Sequence, residues 1–148
     1  MMKSRTLFYI AIGLLILGIA LFTFFNRDQE PAQIFPATIN RDCAPWDGSA
    51  FTVQIPMADG TVVDISIWQA PDIKFSKTFS FPDNTGQVGN AILTHPIGLP
   101  DPLIGEVWFE GVSEGKVAEG GFRLKSERGA EFNGKFIAEW GSQIMLCG

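Results

Sequence analysis

Apolar and polar residues alternate with a period of two along most of the chain after residue 50. Phe51–Met57 and Ala130–Trp140 are the clearest examples, and this alternation is typical of strands that bury one face. Turn signals such as Asp59-Gly60 divide the alternating segments, and no helical period follows residue 25. The predicted strands are Phe51–Met57, Thr61–Gln69, Ile73–Phe81, Gln87–Thr94, Glu106–Glu110, Val117–Lys125, Ala130–Trp140 and a short last strand, Gln143–Cys147.

About eight short strands separated by turns predict an all-β domain. We expect a single antiparallel β-sandwich or a partly closed barrel. His95–Leu103 holds three prolines and no repeating pattern, so it is expected to form an ordered loop or a crossover between sheets. An immunoglobulin topology is disfavoured, because its usual disulfide joins two central strands and the cysteines here lie at the domain ends.

The N-terminal part of the chain has a different pattern. Leu7–Phe25 is a run of nineteen residues without a charge. As a helix it would be about 28 Å long, which is close to the thickness of a bilayer's hydrocarbon core. We expect one transmembrane helix that serves as an uncleaved signal anchor. The alternative is a cleaved signal peptide, since Gly18-Ile19-Ala20 fits a small-x-small cleavage pattern, but cleavage there would leave an apolar new N-terminus.

Charges beside the apolar run set the expected orientation. Lys3, Arg5 and the amino terminus precede the run, whereas Arg27 after it is offset by Asp28 and Glu30. The positive-inside rule therefore predicts a cell-membrane protein with residues 1–6 in the cytoplasm and a periplasmic or extracellular C-terminal domain. Residues 26–40, with two prolines and no period, are predicted to be a linker, and residues 41–148 the exported β domain.

The sequence contains two cysteines, Cys43 and Cys147. They lie near the two ends of the predicted domain, which indicates a disulfide that joins one end to the other. Such a bond agrees with export, because disulfides persist in oxidising compartments. The alternative is two unrelated buried thiols.

Composition argues against several functions. Residues 31–148 have 8 Lys and Arg against 14 Asp and Glu, a net charge of −6, which argues against binding nucleic acid or an anionic lipid surface. There is no CxxC or CxxCH motif, and His95 is the single histidine. We therefore expect no metal centre and no cofactor.

Two surfaces are candidates for binding. The aliphatic residues Ile97, Leu99, Leu103 and Ile104 could close one end of a sandwich or dock on a membrane-embedded partner. Glu106 and Glu110 flank Trp108 on one strand face, and Trp68 is a second outward aromatic residue. That set resembles a platform for a sugar, although a half-exposed sheet also carries scattered charges on its solvent face.

Catalytic and calcium-binding alternatives have weaker support. His95 would have to be the base of any Ser-His-Asp arrangement, and its neighbour Thr94 cannot face it on a strand. Asp83-Asn84, Asp42 and Asp47 could supply oxygen ligands to calcium, but Asp and Asn are also ordinary turn residues. The sequence thus predicts a non-catalytic, membrane-anchored protein. We expect an accessory or assembly subunit of a membrane protein complex, with an integral membrane partner. The alternative is a binding module for a glycan or a cell-envelope component.

Overall fold

A computed structural model of the protein describes residues 33–71, 77–142 and 145–147. These ranges contain eight strands and no helix. The strands are β1 (Ile34–Cys43), β2 (Ser49–Pro56), β3 (Val62–Ile67), β4 (Lys77–Phe81), β5 (Gly89–Thr94), β6 (Asp101–Gly111), β7 (Ala118–Ser126) and β8 (Glu131–Trp140). The all-β class predicted from the alternation is confirmed.

Several predictions fall outside the described residues. These are the cytoplasmic segment 1–6, the membrane helix Leu7–Phe25, the linker as far as residue 32 and the start of the predicted strand Ile73–Phe81. In the ranges that are described, no helix has the length and apolarity needed to cross a membrane.

Seven of the strands close into a barrel. They pair in the order β6-β5-β3-β2-β1-β8-β7, and β7 pairs with β6 to complete the circle. The ladder between β1 and β8 is parallel, and the other ladders of the described strands are antiparallel. The expectation of a purely antiparallel arrangement is therefore wrong at this one ladder, where the first strand meets the last.

Strand β6 is long enough to pair with three neighbours. Its first residues, Asp101 and Pro102, pair with β5, and Gly105–Phe109 pair with β4 on the same edge. Its other edge pairs with β7 from Leu103 to Gly111, with a register shift after Phe109. Strand β4 therefore lies outside the closed ring and is attached to the ring by its pairing with β6.

Strand β1 corrects the predicted linker, because Ile34–Asn40 belongs to the barrel and the compact unit begins at Gln33. The strand points Phe35, Ala37 and Ile39 inward, and Ile39 is fully buried. Pro36 obscured this alternation in the sequence, since proline is depleted in strands and common in linkers. Hydrogen bonding to β2 on one side and β8 on the other stabilises the strand.

Two other boundaries differ from the prediction. The loop expected over His95–Leu103 ends earlier, because β6 begins at Asp101. The short last strand expected over Gln143–Cys147 is not found at residues 145–147, and residues 143–144 lie outside the described part of the chain.

Phenylalanine rings fill the barrel. Phe109 lies in contact with Phe51, Phe79 and Phe136, with ring centroids 5.6, 5.9 and 5.5 Å away. All three contacts are edge-to-face, the geometry that the ring quadrupole favours. The smaller aliphatic side chains of β2, β3 and β5 complete the core: Val53, Ile55, Val63, Ile65, Ile67, Ala91 and Leu93.

The outer wall of β1, β2, β3 and β5 is polar. Asn40 donates to Gln54 at 3.2 Å, and Gln54 donates to Asp64 at 2.9 Å. Thr94 then donates its hydroxyl to the other oxygen of Asp64 at 2.6 Å. These side-chain hydrogen bonds join polar groups across four neighbouring strands.

Candidate functional site

The two ends of the barrel expose different elements. At the loop end, as we call it, β1 begins and Pro96 lies beside Gly60. At the disulfide end, Cys43 is bonded to Cys147 with 5.6 Å between the Cα atoms. The loop end comprises the start of β1, the 57–61 turn, the 95–100 loop and the 127–130 turn. The disulfide end comprises the 44–48 turn, the 112–117 turn and residues 145–147.

The disulfide predicted from the cysteine spacing is confirmed, and the strand pairing explains it. The parallel ladder aligns Ile39 of β1 with Trp140 of β8, and the amide of Gly141 donates to the carbonyl of Ile39 at 2.8 Å. The chain after β8 therefore continues beside the end of β1, where Cys43 lies. The bond connects the last described residue to the first strand.

The four aliphatic residues predicted to dock a partner do not form one surface. Ile97 and Leu99 in the 95–100 loop are 94% and 85% exposed, and Ile104 on the outer face of β6 is 44% exposed. Leu103 is only 3% exposed and belongs to the core. It must be removed from the predicted docking set, because β6 has already begun at Asp101 and Leu103 points into the barrel.

The 95–100 loop is held at its base by charged groups. His95 Nε2 lies 3.2 Å from the carboxylate of Asp101, and Arg128 lies 3.4 Å from the other oxygen of that carboxylate. Thr94 directs its hydroxyl to Asp64 instead. Within the described residues, no hydroxyl or thiol group is hydrogen-bonded to His95. The geometry indicates that His95 helps to stabilise the base of the loop.

A groove of about 730 Å³ crosses the wall near the loop end. Its central row consists of residues that pair in register across four strands, Phe81, Gly105, Leu124 and Phe132. At Gly105 the backbone of β6 lies close to β7, because an added Cβ would meet the carbonyl group of Arg123. The other lining residues are Pro82, Ile104, Arg123, Lys125, Glu131 and Asn133. The groove thus combines apolar surface with two cations and one carboxylate.

The predicted ligand surface divides into two separate places. Trp108 lies over Gly121 of β7, where a Cβ would come within 2.2 Å of the indole ring. The guanidinium of Arg123 lies 5.6 Å from the same ring. Trp68 contacts Trp46 at a centroid distance of 5.6 Å, and no ring contact among the described residues joins it to Trp108.

The geometry at Trp108 indicates a structural role. The glycine beneath the ring and the cation beside it both limit the surface left for a ligand. Glu106 lies in register with Arg123, and Glu110 lies further along β6, beside the register shift. The acidic pair and the tryptophan therefore share one outer wall, as predicted, but the ring is packed onto the sheet.

Sequence reasoning missed Trp46, which is 52% exposed at the disulfide end. It is the third residue of a turn closed by the amide of Asp47, which donates to the carbonyl of Ala44 at 3.0 Å. Pro45 suits the second position of such a turn. The signal was present in the sequence, since Ala-Pro-Trp-Asp-Gly holds a tryptophan between two turn residues.

Two of the calcium candidates, Asp83 and Asp42, accept hydrogen bonds from groups of the protein itself. One oxygen of Asp83 accepts from the amides of Thr85 and Gly86 and from the Thr85 hydroxyl, and the other accepts from the amide of Val88. The hydrogen bond from the Thr85 side chain, supported by the three amides, lowers the pKa of Asp83 from 3.8 to about 2. Asp42 likewise accepts from Thr52 and from the amide of Cys43.

Asp83→Asn should therefore lower the melting temperature at neutral pH, because an amide cannot accept from the donors that the second carboxylate oxygen serves. The native pKa lies below the usual 3.8. The stabilisation is then full above about pH 4 and is lost as the pH falls through about 2. Melting curves from pH 7 to pH 2 should show the difference from wild type shrinking, whereas Glu127→Gln, at an exposed carboxylate, should match wild type throughout.

Groups of three or more potential metal ligands are absent from the described residues. No family model, curated protein or solved structure matches the chain. The site must therefore be interpreted from its own geometry.

Proposed function

We propose that this protein is a non-catalytic, membrane-anchored exported domain that serves as an accessory or assembly subunit of a membrane protein complex. The observation that carries the proposal is the strong exposure of Ile97 and Leu99 in the 95–100 loop, at the loop end. That end is also where the barrel begins, at Ile34.

Two features support export. The Cys43–Cys147 disulfide is the kind of bond that persists in oxidising compartments. The positive charges of Lys3 and Arg5 before the apolar run favour a cytoplasmic N-terminus. The barrel domain then lies on the periplasmic or extracellular side.

The groove beside Ile104 is the proposed docking site for the partner. Its apolar floor and its two cations, Arg123 and Lys125, suit an exported segment of an integral membrane protein that combines apolar and acidic residues. Confinement to the same membrane raises the effective concentration of the partner, so a modest groove is sufficient for binding. Phe132, which is only partly buried, supplies aromatic surface of the kind that anchors interfaces.

The absence of catalysis is part of the proposal. His95 and Asp101 form the nearest approach to a catalytic pair, but their contact ties the base of the 95–100 loop. A nucleophile would have to reach His95, and the adjacent hydroxyl of Thr94 is committed to Asp64. The core of the barrel is filled by phenylalanine rings rather than by a substrate cavity.

Gentle detergent solubilisation followed by affinity isolation of the full chain tests the subunit function. We expect stoichiometric co-purification of an integral membrane protein. Ile104→Ser should reduce the recovered partner at least tenfold, because it removes apolar contact from the groove. The matched control is Ile137→Ser, since Ile137 is 41% exposed on the outer face of β8 and does not line the groove. Equal loss with both variants would contradict the proposed docking site.

A second function is favoured by the Trp46–Trp68 pair. An exposed indole at the disulfide end could stack on a sugar of a glycan or a cell-envelope polymer. Purification of the full chain as a monomer without a partner would favour this function over the subunit function.

A further inference from the structure

The tip of the 95–100 loop carries two of the most exposed apolar side chains in the described residues. Ile97 is 94% exposed and Leu99 is 85% exposed. Between them lies Gly98, whose φ of +124° favours glycine, and no charged residue occurs from Pro96 to Pro100. The tip is therefore an uncharged pair of aliphatic side chains.

The loop is already ordered before it meets any partner. Asp101 accepts from His95 and is paired with Arg128 at the base of the loop. Pro96 and Pro100 restrict the backbone on either side of the tip. Binding through this tip needs little further ordering of the chain, and such preorganisation favours even small contacts.

The length of chain before β1 limits how far this end can lie from a membrane. From Phe25, where the apolar run ends, to Ile34, where β1 begins, there are nine residue steps. Fully extended, that segment reaches about 30 Å at most, which is similar to the diameter of a domain of this size. This limit on the distance between the barrel and the membrane depends on the membrane anchor of the proposed function.

We propose that Ile97 and Leu99 insert into the interfacial region of the bilayer in which the chain is anchored. Two isolated aliphatic tips suit a fluid lipid phase. A protein interface, by contrast, has a broad packed area with aromatic or arginine anchors. The acidic domain offers no cluster of cations at this tip, so the contact depends on apolar burial and needs no anionic lipid.

Insertion determines which way the barrel faces. With the loop end held at the headgroups, the groove beside Ile104 lies at the level of the membrane surface, and the disulfide end with Trp46 points away from it. The barrel thus presents its groove to the exported parts of a membrane-embedded partner. The tip and the groove have separate roles, the first on lipid and the second on protein.

The test places a reporter at the tip of the full chain. Leu99→Trp and the control Val117→Trp are reconstituted without partner into phosphatidylcholine vesicles, with and without bromine on the acyl chains. Val117 is 55% exposed and lies in the turn at the disulfide end. The native tryptophans form a shared background, because Trp46, Trp68 and Trp140 lie toward the disulfide end and Trp108 on the wall.

Brominated lipid should quench the added fluorescence of Leu99→Trp at least twofold more than that of Val117→Trp. The difference should persist in 1 M salt and should not grow when anionic lipid is added. Equal quenching in the two variants, with both proteins floating with the vesicles, would overturn insertion and leave the anchor intact. Failure of the full chain to float with vesicles would overturn both the anchor of the proposed function and the insertion.

Discussion

Phe109→Ala should lower the free energy of unfolding by about 3–5 kcal/mol, the range found when a large aromatic residue is removed from a core. Phe109 is 1% exposed and contacts Phe51, Phe79 and Phe136 with its edge or face. The substitution removes these aromatic contacts and leaves a cavity at the centre of the barrel. Because the rings belong to β2, β4 and β8, the loss loosens distant parts of the chain together.

Urea denaturation of the full chain in detergent, followed by tryptophan fluorescence, measures this loss. Phe132→Ala is the matched control, since Phe132 has the same side chain but is only partly buried at the edge of the core. Its effect should be about half as large, because part of that ring is already in contact with water. If the two variants lost the same stability, the central position of Phe109 would not explain its effect.

The sequence predicted most strands because each alternates locally. In β8, Phe132, Phe136 and Ala138 point inward and Glu131, Asn133 and Lys135 outward, as the period of two requires. The disulfide could also be predicted, since Cys43 and Cys147 mark the ends of the domain. These features depend on neighbouring residues or on a simple spacing, so they can be predicted without knowledge of the fold.

Closure of the barrel could not be predicted in the same way. It depends on the parallel ladder between β1 and β8, which joins residues about 100 positions apart. No local sequence pattern predicts such a pairing, and Pro36 made the sequence of β1 resemble that of a linker. The register of β6 with three neighbours is a second long-range feature, which left the sandwich and the barrel equally consistent with the alternation.

The candidate surfaces show the same division between features that a local pattern predicts and features that depend on long-range pairing. Exposure of Ile97 and Leu99 follows from a proline-rich segment that no strand pattern includes. Burial of Leu103 follows from the start of β6, which the prolines concealed. Trp68 and Trp108 looked equivalent by alternation, but Gly121 lies beneath one ring and Trp46 beside the other. Which aromatic residue is free for binding depends on cross-strand neighbours that the sequence does not reveal.

Removing the disulfide should have an effect of comparable size to that of Phe109→Ala. The bond closes a loop between residues 104 positions apart. In the chain-entropy model, a loop of about 100 residues contributes about 4.7 kcal/mol by restricting the unfolded chain. The parallel ladder between β1 and β8 already holds the two ends together in the folded barrel. The bond therefore acts mainly on the unfolded state, and the double variant Cys43→Ser, Cys147→Ser should fold to the same barrel with lower stability.

Urea denaturation of this double variant, with and without a reductant, measures the contribution directly. Reductant should lower the stability of the wild type to that of the double variant and should leave the double variant unchanged. Each single cysteine variant should be as unstable as the double variant in reducing conditions, because either substitution opens the same loop. If reductant destabilised the wild type while the double variant kept wild-type stability, the loss would come from something other than loop closure. Because the ladder between β1 and β8 forms without the disulfide, we expect the double variant to be folded but less stable than the wild type.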